Sequence, residues 1–330
     1  MQVGETRKIG CERLKVNTID ARVFFEPPDE EMRYLPEGPY RLQKDHVSWV
    51  AIQHGPDRKV GSLNILDLAS KSNKSFSLPG RPGFAFPTSN PNVFVLGVER
   101  SVVLFDLLKG TCEAIASDID AEVEGTIIND GLVHEDVIVF GCKDLKFAEQ
   151  KAGLYLMRAD RSLVCLADNQ VCSNGKAIRQ EDDNSLLLFD ICSCSKQVTE
   201  WQFDLDRGTI SDWRTVIDLK DEEVFPDGMI LTPDQQSLIV AIFNPGDTSV
   251  GEARQYAIAT GELENTWRCQ GSARVTCPQL IELDGQIKLL LTTADEGMPP
   301  ELRKKNPNAG CLFIGETDFK QLNANPVYPL

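Results

Sequence analysis

The amino-acid sequence predicts an all-β chain folded as a β-propeller, and three observations carry that prediction. Apolar segments are short, rich in Val, Ile, Leu and Phe, and broken by Gly, Pro, Asn or Asp about every ten residues, the pattern of many strands joined by tight turns. No stretch keeps a helical apolar period for a dozen residues; "ELRKKNPN" is at most a turn of helix stopped by Pro307. A fuzzy repeat also runs through the chain. "LNILDLASKS" from Leu63, "VVLFDLLKG" from Val102, "WQFDLDRG" from Trp201 and "QYAIATGE" from Gln255 each read as strand, tight turn and return strand. Asp67 and Asp106 are separated by about one unit of the roughly 40–50 residues of a propeller blade, and Asp106 and Asp204 by about two. The 330 residues hold about six or seven such units, and radial closure leaves no exposed sheet edge. A pair of stacked sandwich domains is the alternative.

Taken in order, residues 1–34 precede the first repeat; "ARVFF" reads as a strand able to close a ring and "EPPDEEM" as a solvated loop. Strands follow at "HVSWVAIQ", "VGSLNILDL", "NVFVLGV", "SVVLFDLL", "EDVIVFGC", "GLYLMRA", "SLLLFDIC", "TEWQFDLD", "SLIVAIFN" and "IKLLLTT". Trp49, Trp201, Trp213 and Trp267 are too scattered for an aromatic platform and read as packing within or between blades.

Composition narrows the function. With 42% hydrophobic and 25% charged residues the chain is long enough for a sizeable core, and a net charge of −16 repels nucleic acid and anionic membranes. The one local cluster of cations is Arg303-Lys304-Lys305. "MQVGETRKIG" lacks the apolar core of a signal peptide and no window approaches the roughly 18 apolar residues of a membrane helix, so the expected address is cytoplasmic. The ten cysteines, Cys11 among them, show no paired C-x-x-C framework and read mostly as buried thiols; Cys192 and Cys194 share a face if both lie on a strand. Three histidines (His46, His54, His134) leave little material for a zinc cage, so a metal here relies on oxygen ligands. His134, five residues beyond Asn129 on an extended strand, is too remote to share its chemistry.

Four polar corners precede candidate inner strands: "LPEGPYRL" with Glu37, "IINDGLVHEDVIVFG" with Asn129 and Asp130, "VCSNGKAIRQ" with Asn174, and "FPDGMILTPDQQSLIV" with Asp227. Singly each is ordinary turn chemistry, since Asn-Gly and Asp-Gly favour tight turns. In successive blades they converge on one mouth of the central channel and form an oxygen-rich cage suited to Ca²⁺, Mg²⁺ or Mn²⁺.

At these residues the chain resembles the senescence marker protein (regucalcin), gluconolactonase and luciferin-regenerating-enzyme family of six-bladed propellers, from about Leu35 to about Gly315. The motifs occur in order: Glu37-Gly38-Pro39, Asn129-Asp130-Gly131, Ser173-Asn174-Gly175, Pro226 to Met229, and "TTADEGMPPELRKKNPNAGCLFIGE" as the final-blade segment. The resemblance implies a single propeller over residues 35–330 and one divalent ion (Ca, Zn, Mn or Mg) held by Glu37, Asn174 and Asp227. It places Asn129 beside the ion, holding substrate or water. The implied activity is hydrolysis of a sugar lactone, with the cation polarising the carbonyl, a nearby water as nucleophile and Asp227 as general base.

The departures bear on substrate. Family members that open sugar lactones carry an Arg two residues before the asparagine; here that position is Ile127. The loop "GCKDLKFAEQ" offers Lys143, Asp144, Lys146 and Glu149 as substitutes, and Asn129, Asp130 and Lys146 are the expected substrate contacts. Other readings of the same cage are a hydrolase of another ester or organophosphate and a cation-binding propeller without turnover.

Overall fold

The computed structural model describes residues 16–43, 45–181 and 185–330; Cys11 and the rest of residues 1–15 lie outside the described residues. Each apolar segment is a strand. β1 (Asn17–Phe25) comes first, and four consecutive hairpin-linked sheets of four strands follow. They are β2–β5 (Pro36–Arg41, His46–Ala51, Ser62–Asp67, Asn73–Ser77), β6–β9 (Pro82–Pro87, Val93–Val98, Ser101–Asp106, Thr111–Ala116), β10–β13 (Thr126–His134, Val137–Asp144, Ala152–Met157, Leu163–Gln170) and β14–β17 (Ser173–Gln180, Leu186–Cys192, Gln197–Asp204, Thr209–Asp218). β18–β21 (Phe225–Leu231, Ser237–Phe243, Val250–Ala257, Leu263–Gln270) and β22–β24 (Val275–Leu283, Gln286–Thr293, Leu312–Glu316) are joined by β1 into an eight-stranded sheet.

The first strands of these groups pack in a closed cycle: β2 on β6, β6 on β10, β10 on β14, β14 on β18, β18 on β22, and β22 back on β2. The arrangement is all-β and propeller-like. β1 runs parallel to β21, from Asn17 opposite Asn265 to Ala21 opposite Cys269, and antiparallel to β24, with Val23 opposite Phe313. Among the described residues no helix is long and apolar enough to cross a membrane.

Sequence pattern follows depth. Strands nearer the axis are covered on both faces by neighbouring sheets, so β11 is buried at all eight positions, whereas the outermost β5 and β9 are largely open. The core lies between sheets: Phe189, Val198 and Ile217 of one meet Met229, Leu238 and Val240 of the next, and Trp49 and Leu66 of the first pack with Ile281, Leu290 and Leu312 of the last. The repeated aspartates end the third strand of their sheets. Asp67 accepts from the N–H groups of Ala69 (3.0 Å) and Ser70 (2.8 Å), Asp106 from Leu108 (2.9 Å) and Lys109 (3.0 Å), and Asp204 from Arg207 (2.9 Å).

One expectation is refined and two need correction. The acidic side chains before the first sheet are exposed as expected, but the stretch runs into a short 3₁₀ turn, Glu30–Arg33, whose Arg33 is 3% exposed and donates to Ala309 O through Nε (2.9 Å) and to Pro307 O through Nη2 (2.6 Å). Trp213 does not pack inside; on the outermost strand it is 62% exposed and its ring lies 6.2 Å from that of Trp201. Cys192 and Cys194 do not share a strand face, because β15 ends at Cys192 and a 3₁₀ turn holds Cys194.

The polar corners are also not turns. Glu37, Asn129, Asn174 and Asp227 lie inside the inner strands, each where the pairing register shifts. Two of their glycines serve close approach, whereas Gly38 takes a left-handed φ of 52°: a Cβ on Gly175 would stand 2.4 Å from Met229 N, and one on Gly228 2.6 Å from Cys277 Sγ and 2.7 Å from Thr276 O. Neither backbone is in the left-handed region, so turn conformation is not the reason for glycine. Gly228→Ala is expected to lower the unfolding free energy by about 1–3 kcal/mol in urea titrations, the cost of overpacking a tight contact; an unchanged midpoint would mean that β22 yields.

Candidate functional site

A β-bulge leaves residues outside the ladder and re-aims their side chains. The bulges of β2, β10, β14 and β18 bring Glu37, Asn129, Asn174 and Asp227 onto one cavity of about 410 Å³, shared with Lys143, Ser193, Cys172, Cys194 and Glu296. Four of the residues singled out in the sequence therefore meet. Asp130 and Lys146 do not line this cavity: Asp130 stands close enough for its charge to act on Glu37 and Asp227, and Lys146 is exposed on the loop after β11.

The two amides are held by their nitrogens. Asn129 Nδ2 donates to Ser173 O (2.9 Å) and Asn174 Nδ2 to Ser193 Oγ (3.0 Å), while Ser193 Oγ donates to Pro226 O (2.7 Å). Each amide oxygen is left as the atom available to a ligand. Beneath this corner lies a buried pair not anticipated from sequence. Lys176 Nζ is 3.4 Å from Asp190 Oδ1 and donates to Asn174 O (2.5 Å) and Ser173 Oγ (3.0 Å), so an ammonium clamps the chain beside Asn174.

The carboxylates are under electrostatic stress. Burial, the Asp227 charge and then Asp130 push Glu37 well above the ordinary carboxylate range, with Lys143 only partly offsetting them. Asp227 is likewise pushed well up, by burial first and Asp130 next, with Lys143 opposing. Asp227 Oδ1 is buried with no hydrogen-bond partner among the described residues. Two such carboxylates beside an amide oxygen are hard oxygen donors, and one of those oxygens is orphaned, so these residues fit a divalent ion of the calcium or magnesium type. The set depends on the amide: no group of three among His, Cys, Asp and Glu alone is gathered for a metal among the described residues.

A cation stands opposite position 127 on the neighbouring strand. Ile127 is buried and lies directly opposite Lys143 in the β10–β11 ladder, and Lys143 lines the cavity. Register was not readable from sequence, so Lys143 was only one of four substitutes; Glu149 is exposed, and Asp144 holds the loop. Its carboxylate accepts from the backbone N–H of Ala148 and Glu149 (both 3.0 Å) and Lys146 (3.3 Å), with Lys151 Nζ at 3.4 Å. Burial pushes the Asp144 carboxyl up, but these donors outweigh it and bring it down to about 2. The loop so held carries Phe147, at φ 53°, to the cavity rim.

Fold and cavity together define an all-β, propeller-like protein with a polar cluster built on the bulges of its inner strands. The sequence model of the SMP-30/Gluconolactonase/LRE-like region matches residues 35–295, and the chain belongs to that family. Regucalcin of Danio rerio is 28% identical over 223 residues, covering 67% of this chain and 71% of that protein. L-arabinolactonase of Azospirillum brasilense is 27% identical over 236 residues, 70% of this chain and 72% of that one. Among solved structures, a calcium-binding protein, regucalcin, from Agrobacterium tumefaciens matches with a TM-score of 0.78 at 19% identity, covering 96% of this chain and 100% of that one. A luciferin-regenerating enzyme matches with a TM-score of 0.75 at 19% identity, covering 90% and 96%. At such identities the structural likeness concerns the fold.

Asp144→Asn is expected to lower the unfolding free energy by about 1–3 kcal/mol at neutral pH, since hydrogen bonds to a charged acceptor are weakened. The folded carboxyl titrates below its ordinary 3.8, so its contribution is complete above that value and fades as pH falls through about 2. Urea titrations at descending pH check this: the gap between the two proteins narrows on the acid side.

Proposed function

We propose that this protein is a divalent-metal-dependent lactone hydrolase on a six-bladed propeller. Residues 35–330 form the ring, and β1, from the segment before residue 35, serves as the outer strand of the last blade. The observation that carries the reading is the meeting of Glu37, Asn129, Asn174 and Asp227 on one cavity, with Asp227 Oδ1 lacking a partner. The family and the name of the arabinolactonase relative support the reaction class, and the name of the calcium-binding relative supports the cation.

Glu37 and Asp227 would supply carboxylate oxygens, and Asn174 an amide oxygen, to one Ca, Zn, Mn or Mg ion. When bound, that ion would polarise the ester carbonyl and stabilise negative charge on its oxygen. Asn129, its nitrogen fixed on Ser173 O, turns its oxygen toward substrate or the attacking water. Asp227 takes the water's proton as general base, and ring opening then yields a hydroxy acid. Lys143 takes the place of the missing Arg, its ammonium placed for the substrate's electron-rich oxygens. The partner is a small lactone or ester.

Asp227→Asn tests the ligand set. Metal binding by calorimetry is expected to be lost, together with any metal-induced rise in Tm, while metal-free stability holds or increases because a repelled buried charge is gone. Unchanged affinity would remove Asp227 from the site.

A further inference from the structure

We propose that the cavity takes a lactone with an apolar body, an alkyl- or aryl-substituted ring, in preference to a polyhydroxylated sugar lactone. This rests on the lactone-hydrolase reading and names its substrate class.

The walls carry the inference. Leu35, just before β2, and Ile52, just after β3, face the cavity, joined by the hydrogen bond from Ile52 N to Leu35 O (2.9 Å). Phe225 and Phe243 face it as direct cross-strand partners at the mouth ends of β18 and β19, and Phe147 reaches the rim. Each ring has a cation near its face: Lys143 Nζ lies 5.8 Å from the centroid of Phe147, Lys196 Nζ 5.4 Å from Phe225, and the Arg274 guanidinium carbon 5.1 Å from Phe243. Two of those cations are tethered in turn, Lys196 to Glu222 O (2.5 Å) and Arg274 to Glu296 O. The aromatic walls are therefore supported in place before substrate arrives, and a cavity of about 410 Å³ lies in the range of small-molecule sites.

The polar groups are too few for a sugar. Glu37, Asn174 and Asp227 are assigned to the cation. Ser193 Oγ already accepts from Asn174 and donates to Pro226 O, and the Asn129 nitrogen is committed to Ser173 O. What remains is the Asn129 oxygen, the Lys143 ammonium and the Glu296 carboxylate, with the Cys172 and Cys194 thiols as weak donors. A sugar lactone brings several hydroxyls, each a donor and an acceptor, and one left unpaired in a buried site costs roughly ten- to a hundredfold in affinity. An alkyl or aryl body gains from the same walls. In the reaction, water oxygen bonds to the carbonyl carbon and the acyl–oxygen bond of the ring breaks. The ring oxygen leaves as a hydroxyl carrying one proton of that water, and the new carboxyl ionises, releasing the other.

The full chain, loaded with Mn²⁺ or Ca²⁺, is assayed by pH indicator on γ-decalactone and dihydrocoumarin against gluconolactone and arabinolactone. Calorimetry follows non-hydrolysable lactams, one alkyl-substituted and one polyhydroxylated. At least a tenfold higher kcat/KM for the apolar lactones and tighter binding of the alkyl lactam are expected. Phe243→Ser should reduce both about tenfold while leaving metal affinity unchanged. Preference for the sugar lactones and the hydroxylated lactam overturns this inference and leaves the lactonase reading standing. Tight binding of the alkyl lactam without hydrolysis of any lactone by metal-loaded protein overturns the lactonase reading instead. No binding of the alkyl lactam overturns the inference outright.

Discussion

Where β14 meets β18, the nitrogen of Met229 stands 2.4 Å from the place a Cβ would occupy on Gly175, and one strand further round Thr276 O stands 2.7 Å from that of Gly228. Inner strands that approach this closely crowd their backbones around a narrow axis. At each such contact the ladder shifts register, and the side chain beside the glycine is released from the sheet and aimed along the channel. The site is thus a by-product of how the ring closes: residues far apart in sequence meet because each sits at the same awkward point of its own sheet.

Crowding also concentrates charge. Glu37 and Asp227 are forced into a place where burial and the charges of neighbouring carboxylates, Asp130 above all for Asp227, oppose ionisation, and one of their oxygens has no partner. The fold tolerates this because it offers support nearby, with Lys143 on the wall and the Lys176–Asp190 pair beneath. Buried pairs of that kind contribute little net stability, but they hold a local conformation against alternatives. Lys176 grips the Asn174 carbonyl, so rigidity is spent where a ligand oxygen must be aimed.

Much of this was legible in the sequence, and the failures share a cause. Strand content showed because short apolar runs and turn residues are local signals, and the aspartates of the third strands showed because their turns are local too. The motif asparagines and Asp227 stand out, but their glycines read as corners: a glycine needed for close approach and one needed for a left-handed turn look alike in one dimension. Arg33, Lys176 and Asp190 were missed because a charged residue defaults to the surface, and only tertiary contact supplies the carbonyl or counter-ion that buries it. Lys143 could not be ranked above Lys146, since choosing between them needs the β10–β11 register, which makes Ile127 and Lys143 face each other.

The position of β1 has a kinetic consequence. Arg22 pairs with Ile314 and Asn17 with Asn265, so the first described strand finds its partners near the far end of the chain. Each hairpin sheet can form as its own residues collapse, but the last sheet lacks its outer strand until almost the whole polypeptide is present. Contacts of such long sequence separation form slowly, although the extra loop entropy grows only logarithmically. Until then the outer edge of β24 lies open, and an open edge invites pairing with another chain. The strand that joins β21 to β24 therefore also closes an edge at which this protein is open to misassembly.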